Sequence, residues 1–198
     1  RQDNTYSVRG QLQGINQIYA ETGNKNGQAK TFGESLKYDY GFTDVKYDGN
    51  VAGLIWKGSG TYPSQAYGYS YDEAARLTKA DYSEYSVDNL NPNGPILHWN
   101  RTSSDYSTSE ISYDLDGNIT NMTQMGVANV VVNNVATPQV VVMDQLAYQY
   151  ENTNLSNRLA SVSDISSTVN SNYNLGDFVD HNSNSADYQY DDNGNLIE

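Results

Sequence analysis

A tyrosine-aspartate pair, followed within five residues by Gly-Asn and an apolar residue, recurs along this chain and limits what it can fold into. It reads as Tyr47-Asp48-Gly49-Asn50-Val51, as Tyr113-Asp114-Leu115-Asp116-Gly117-Asn118-Ile119, and as Tyr190-Asp191-Asp192-Asn193-Gly194-Asn195-Leu196. A second form ends in Arg-Leu. It runs from Tyr69-Ser70-Tyr71-Asp72 to Arg76-Leu77, and from Tyr148-Gln149-Tyr150-Glu151 to Asn157-Arg158-Leu159. In Tyr-x-Tyr both rings lie on one face of a strand, because side chains alternate with period two. The Asp bonds backbone amides and begins a turn. Gly supplies the positive φ of a tight hairpin. The apolar residue then re-enters the sheet, so each motif predicts strand, turn, strand.

The two forms alternate, with key tyrosines at 47, 71, 113, 150 and 190. The last three spacings are near 40 residues, which implies a repeated supersecondary unit with loops of differing length. One hairpin cannot bury its apolar face alone, whereas stacked hairpins can. The fold class expected is therefore all-β, built of stacked antiparallel β-hairpins. Arg76 and Arg158 are placed to pair with an acidic residue of their own or a neighbouring repeat, which would set register more than stability. Two departures weaken individual turns. Ala75 precedes Arg76 where the other copy has Asn157, and Glu151 stands where the first copy has Asp72, ahead of a longer turn through Asn152–Ser156.

Composition agrees with strands and turns. Tyr contributes 18 residues against 3 Phe and 2 Trp, and Tyr suits half-buried strand faces with a hydroxyl at water or a polar partner. The net charge of −13 repels phosphate backbones and anionic membrane surfaces, so nucleic-acid binding is not expected. No apolar run approaches the roughly 20 residues of a membrane helix, and no membrane insertion is expected. The absence of Cys removes disulfides, thiolate metal sites and Cys nucleophiles.

Collectively the motifs resemble the YD repeats of the Rhs family, which includes bacterial polymorphic toxins, the C components of insecticidal toxin complexes and animal teneurins. Tyr6-Ser7-Val8-Arg9-Gly10-Gln11-Leu12 with Gly14-Ile15-Asn16, and Asn50 to Trp56, resemble a repeat variant of Rhs-like proteins from Bacteroidetes. Residues 1–198 then read as one repeat segment of a longer chain, with motifs near 6–16, 47–56, 69–77, 113–122, 148–159 and 188–197. The resemblance implies a β-sheet strip that spirals into a hollow shell. In toxin members such a shell encloses a C-terminal effector, and in teneurins it belongs to an adhesion ectodomain. It further implies a bacterial protein that is secreted or attached to the cell surface. Its partners would be adjacent repeats of the same chain, with an enclosed effector domain or secretion machinery as further candidates. Many toxin members cleave themselves at an Asp-Pro motif, and no Asp-Pro-x-Gly stretch occurs here.

No enzymatic activity is expected. His98 and His181 are the only histidines and lack local metal spacing. There is no Gly-x-Ser-x-Gly elbow and no phosphate-cradling loop with Lys. Asp114, Asp116 and Asn118, or Asp191, Asp192, Asn193 and Asn195, resemble the start of a calcium loop, but the twelfth position of the first is Met125 and not Glu. Both read better as turns. No cofactor or metal is expected. Trp56 and Trp99 are candidates for stacking on a sugar, the alternative being that their rings pack the sheet. That alternative function would be an extracellular adhesion or carbohydrate- or protein-binding module. The uncharged stretch from Gly117 to Met143 holds two valine runs around Asn133-Asn134. It predicts a hairpin paired between neighbouring strands, with a partner-binding edge as the alternative.

Overall fold

A computed structural model describes residues 2–39, 42, 44–60, 63–88, 96–101, 104–132, 135–166, 178–179 and 186–197. The chain is all-β, as its repeats predict. It divides into two compact units, residues 1–105 and 106–198.

The first unit orders its strands along the sheet as they occur in sequence. These are β1 (Asn4–Tyr6), β2 (Leu12–Ile15), β3 (Phe32–Lys37), β4 (Gly53–Gly58), β5 (Gln65–Tyr71), β6 (Leu77–Asp88) and β7 (Ile96–Asn100). Every neighbouring pair is antiparallel. The only regular helix among the described residues, α1 (Gln17–Thr22), joins β2 to β3. The repeat motifs did not predict it. Gly23 after it is an ordinary left-handed stop, whereas Asn16 before it is also left-handed and makes no side-chain cap bond.

Helix α1 lies flush on β3 because Gly33 lets it. A Cβ at Gly33 would sit 2.9 Å from the Asn16 carbonyl oxygen and 3.0 Å from the Ala20 nitrogen. The helix is then tied by side chains. The Tyr19 hydroxyl donates to the Gly58 carbonyl at 2.8 Å, and the Ser64 hydroxyl donates to the Ala20 carbonyl at 2.6 Å. Tyr19 and Ala20 are fully buried. Ser35 and Lys37 point to this covered face, and both donate to Glu21 Oε1 at 2.6 Å. Burial alone would push the Glu21 carboxyl up. The hydrogen bonds from Lys37, Ser35 and Gln17 outweigh it and hold the group below the usual carboxylate value.

The second unit contains β8 (Thr108–Tyr113), β9 (Ile119–Val132), β10 (Val135–Tyr150) and β11 (Leu159–Asp164), again antiparallel and in sequence order. Met143 bulges out of β10, where the register with β9 shifts between Val142 and Asp144. Its side chain lies across Gly126, at which a Cβ would fall 2.2 Å from Met143 Cγ. The valine-rich stretch is a hairpin, as expected, although 133–134 lie outside the described residues. Its flanks are only partly covered: β8 pairs with β9 as far as Gln124, and β11 pairs with β10 from Leu146 onward. Among the described residues, the valine-rich tips pair in register only with each other, which differs from the expectation of strands on both sides.

Candidate functional site

The repeat motifs build one turn several times. In the copy at residues 114–118, Asp114 Oδ1 accepts from the backbone N–H groups of Asp116 and Asn118 at 2.9 and 2.8 Å, and Oδ2 accepts from Asn118 Nδ2 at 2.8 Å. The Asp114 amide donates to the Asn118 carbonyl, and Gly117, at φ 92°, donates to the Asp114 carbonyl. Asp191, Gly194 and Asn195 reproduce each of these bonds, with Gly194 at φ 82°. The carboxyls of Asp114 and Asp191 are both held below their usual value, first by the Asn side-chain bond. Their oxygens face into their own loops, so the loops that resembled calcium sites are turns.

The Arg-Leu form is the same turn with another donor. Asp72 Oδ1 accepts from the amides of Ala74 and Arg76, and Arg76 Nε replaces the Asn amide on Oδ2 at 2.7 Å. Leu77 then opens β6. Ala75 holds the position of the glycine, at φ 60°. At the start of the chain Ser7 replaces Asp. Its hydroxyl accepts from the Arg9 and Gln11 amides, and Gly10 sits at φ 77°. The Glu151 copy departs further. Glu151 donates from its amide to the Arg158 carbonyl, and three left-handed residues, Asn152, Thr153 and Asn154, fill the loop. Arg158 lies 3.8 Å from Glu151 of its own repeat and 5.6 Å from the Tyr190 ring of the next.

The copy at 47 does not follow the predicted strand, turn, strand pattern. Asp48 accepts from the Asn50 amide and Nδ2, and Gly49 has φ 100°. Tyr47, however, lies outside any strand and is 78% exposed. The chain here is a long β3–β4 connection, and Tyr38, not Tyr47, directly follows the incoming strand.

Three of the motif tyrosines, and Tyr38, join one hairpin to the last. The Tyr150 hydroxyl donates to the Ile119 carbonyl at 2.9 Å, and that of Tyr190 to the Leu159 carbonyl at 3.1 Å. In the first unit, Tyr71 reaches Val51 at 2.8 Å and Tyr38 reaches Leu12 at 3.0 Å. In each case the acceptor is the first residue after the preceding motif turn. Within each unit the motif turns therefore lie in a row along one edge. Asn118 Nδ2 also donates to Asn157 Oδ1 of the neighbouring turn at 2.9 Å. The variable returns, such as α1 and its loop, lie at the other ends of the strands. That explains a spacing near 40 with uneven filler. Sequence reasoning missed the role of Tyr38, although Tyr38-Asp39 is itself a tyrosine-aspartate pair.

The two tryptophans are not brought together. Register aligns Trp56 with Gln65, Glu84 and Asn100, whereas Trp99 aligns with Tyr85. They point to opposite faces of the sheet. Trp56 stacks on Tyr67 at 5.3 Å, and both rings meet the buried Tyr82. Burial, and then a hydrogen bond to Glu84, hold the Tyr82 phenol well above its usual value. Trp99 is braced by Tyr85 at 5.3 Å and is 38% exposed. It borders an open groove of about 810 Å³ with Asp44, Ser70, Lys79, Asp81 and Arg101. There Asp81 is clamped between Lys79 at 2.9 Å and Arg101 at 2.8 Å. Phe42 also lines it and lies over the cross-strand glycines Gly53 and Gly68.

His98 lies in β7, but its side chain and all of His181 fall outside the described residues. Among the described residues, no group of three or more His, Asp or Glu could hold a metal ion, and no helix is long and apolar enough to cross a membrane. No protein-family model matches the chain, and no curated protein matches it.

Proposed function

We propose that this chain is a wall segment of an Rhs-type β shell that encloses a C-terminal effector or forms a large secreted bacterial surface protein. Its role is mechanical and includes no catalysis of its own. The observation that supports this most is the bond from the motif tyrosines Tyr71, Tyr150 and Tyr190 to the first residue after the motif turn before each. Such a bond adds one hairpin to the last by a rule that depends only on the motif, so a strip can lengthen while its return loops vary. The partners are adjacent repeats of the same longer chain, with an enclosed effector or secretion machinery beyond them. Limited proteolysis of the longer protein tests the reading. The region after the repeats should resist digestion until the wall is unfolded. Digestion at the rate of the isolated terminal domain excludes enclosure.

The Trp99 groove favours a second reading, an adhesion module that binds carbohydrate. A half-exposed ring beside fixed carboxylates and cations offers both the stacking face and the hydrogen-bonding groups that a sugar needs. Glycan-array binding lost in Trp99→Ala and kept in Trp56→Phe supports it. Binding that ignores Trp99 removes it.

A further inference from the structure

Lys30 is nearly buried, with 5% of its side chain exposed. Its Nζ donates to Asn16 Oδ1 at 2.7 Å and to Asp3 Oδ2 at 2.7 Å. A primary amine, a carboxamide and a carboxylate thus meet within hydrogen-bond reach, on three separate stretches of chain. The amide is held at both ends. Its oxygen also accepts from the Asp3 backbone N–H at 3.1 Å, and its nitrogen donates to the Phe32 carbonyl at 2.8 Å. Asn16 itself is fixed in a left-handed backbone at the start of α1, with φ 47°. A buried lysine is uncommon unless its charge is met, and here the neighbour that meets it is also able to move its proton.

We propose that Lys30 and Asn16 form an intramolecular isopeptide bond, with Asp3 as the proton carrier. The Asp3 carboxylate takes a proton from the Lys30 ammonium, and the freed amine attacks Asn16 Cγ. Negative charge gathers on Oδ1, where the Asp3 backbone N–H already points. The Nζ–Cγ bond forms and the Cγ–Nδ2 bond breaks. Asp3 delivers its proton to Nδ2 and receives the second proton of Nζ, and ammonia leaves, taking up that proton as ammonium. An ammonium and a carboxamide become a secondary amide and an ammonium ion, with no oxidant or cofactor. The ion has an exit, because Asp3 is 54% exposed and a cavity of about 240 Å³ opens on Asp3, Asn16 and Lys30. The bond joins the base of α1 to the loop that leads into β3. It does not depend on the shell reading.

Intact-mass measurement of the purified chain tests this without any variant. The expected result is a deficit of about 17 Da, the mass of ammonia. After trypsin, the peptide holding Asn16 should be joined to one uncut at Lys30. An unreduced mass after prolonged incubation of the folded chain overturns the proposal. Succinimide formation at Asn26-Gly27 gives the same deficit, so a deficit that persists in Lys30→Met also overturns it. In Asp3→Asn, which keeps the shape, the bond should form about 100-fold more slowly or not at all. An unchanged rate removes Asp3 from the chemistry.

Discussion

The Tyr150 hydroxyl donates to the carbonyl of Ile119, 31 residues earlier, at 2.9 Å. Ile119 opens β9 and Tyr150 ends β10, so this one bond ties the strand that leads into one motif turn to the first residue after the motif turn before it. Tyr150→Phe keeps the ring and removes the bond. It should lower stability by about 1 kcal/mol, read as a lower urea midpoint at unchanged m-value. Tyr47→Phe is the control. Tyr47 is 78% exposed and outside any strand, and its change should stay within about 0.5 kcal/mol.

Ala75 occupies the left-handed position that Gly10, Gly117 and Gly194 fill in sister turns, and it does so at φ 60°. A Cβ there strains the backbone. Ala75→Gly should therefore stabilise the first unit by up to about 1 kcal/mol, despite the greater freedom glycine has when unfolded. Thermal melting checks the sign. A lower midpoint would sink the claim that Ala75 is strained.

Glu21 carries a pH dependence of known sign. Its carboxyl is held below 4.5 in the folded chain, because the bonds from Lys37, Ser35 and Gln17 outweigh its burial. A depressed carboxylate contributes stability that is complete above the unfolded value and is lost as pH falls through the folded one. Melting temperature should accordingly drop below about pH 4.5, and Glu21→Gln should flatten that limb while lowering stability near neutral pH. An acid limb unchanged in Glu21→Gln assigns the dependence elsewhere.

Gly33→Ala tests how closely α1 lies on β3. The new Cβ would meet backbone atoms of Asn16 and Ala20 at 2.9 and 3.0 Å, and backbone cannot step aside as a flexible side chain can. A loss of about 2 kcal/mol is expected, with faster amide exchange at Ala20 and Gly23. Gly58→Ala, where a Cβ meets open space, should cost far less.

The motif turns were legible in the sequence because their bonds are local. Asp114, Gly117 and Asn118 lie within five residues, and each group satisfies another inside the loop. Once Tyr-Asp and Gly-Asn are read, strand, turn and antiparallel return follow, and with them the all-β class. The exception at Tyr47 shows the limit. Its Asp48, Gly49 and Asn50 make their local bonds, but no strand runs into them, since strand pairing needs partners that a five-residue motif does not contain.

Where distant groups meet was settled only once the strands had paired. No spacing rule places Lys30 on Asn16 and Asp3, Phe42 over Gly53 and Gly68, or Glu21 against Ser35 and Lys37. The two tryptophans look equivalent in sequence, yet strand register sends Trp56 into a packed cluster and Trp99 to an open groove. The turns and the strand polarity could be read from the residues alone, because they rest on contacts within a few residues; the row of tyrosine bonds that joins the repeats could not, since Tyr150 reaches Ile119 across 31 residues. The covered face, the groove and the buried lysine rest on contacts across tens of residues, which exist only after the strands have paired.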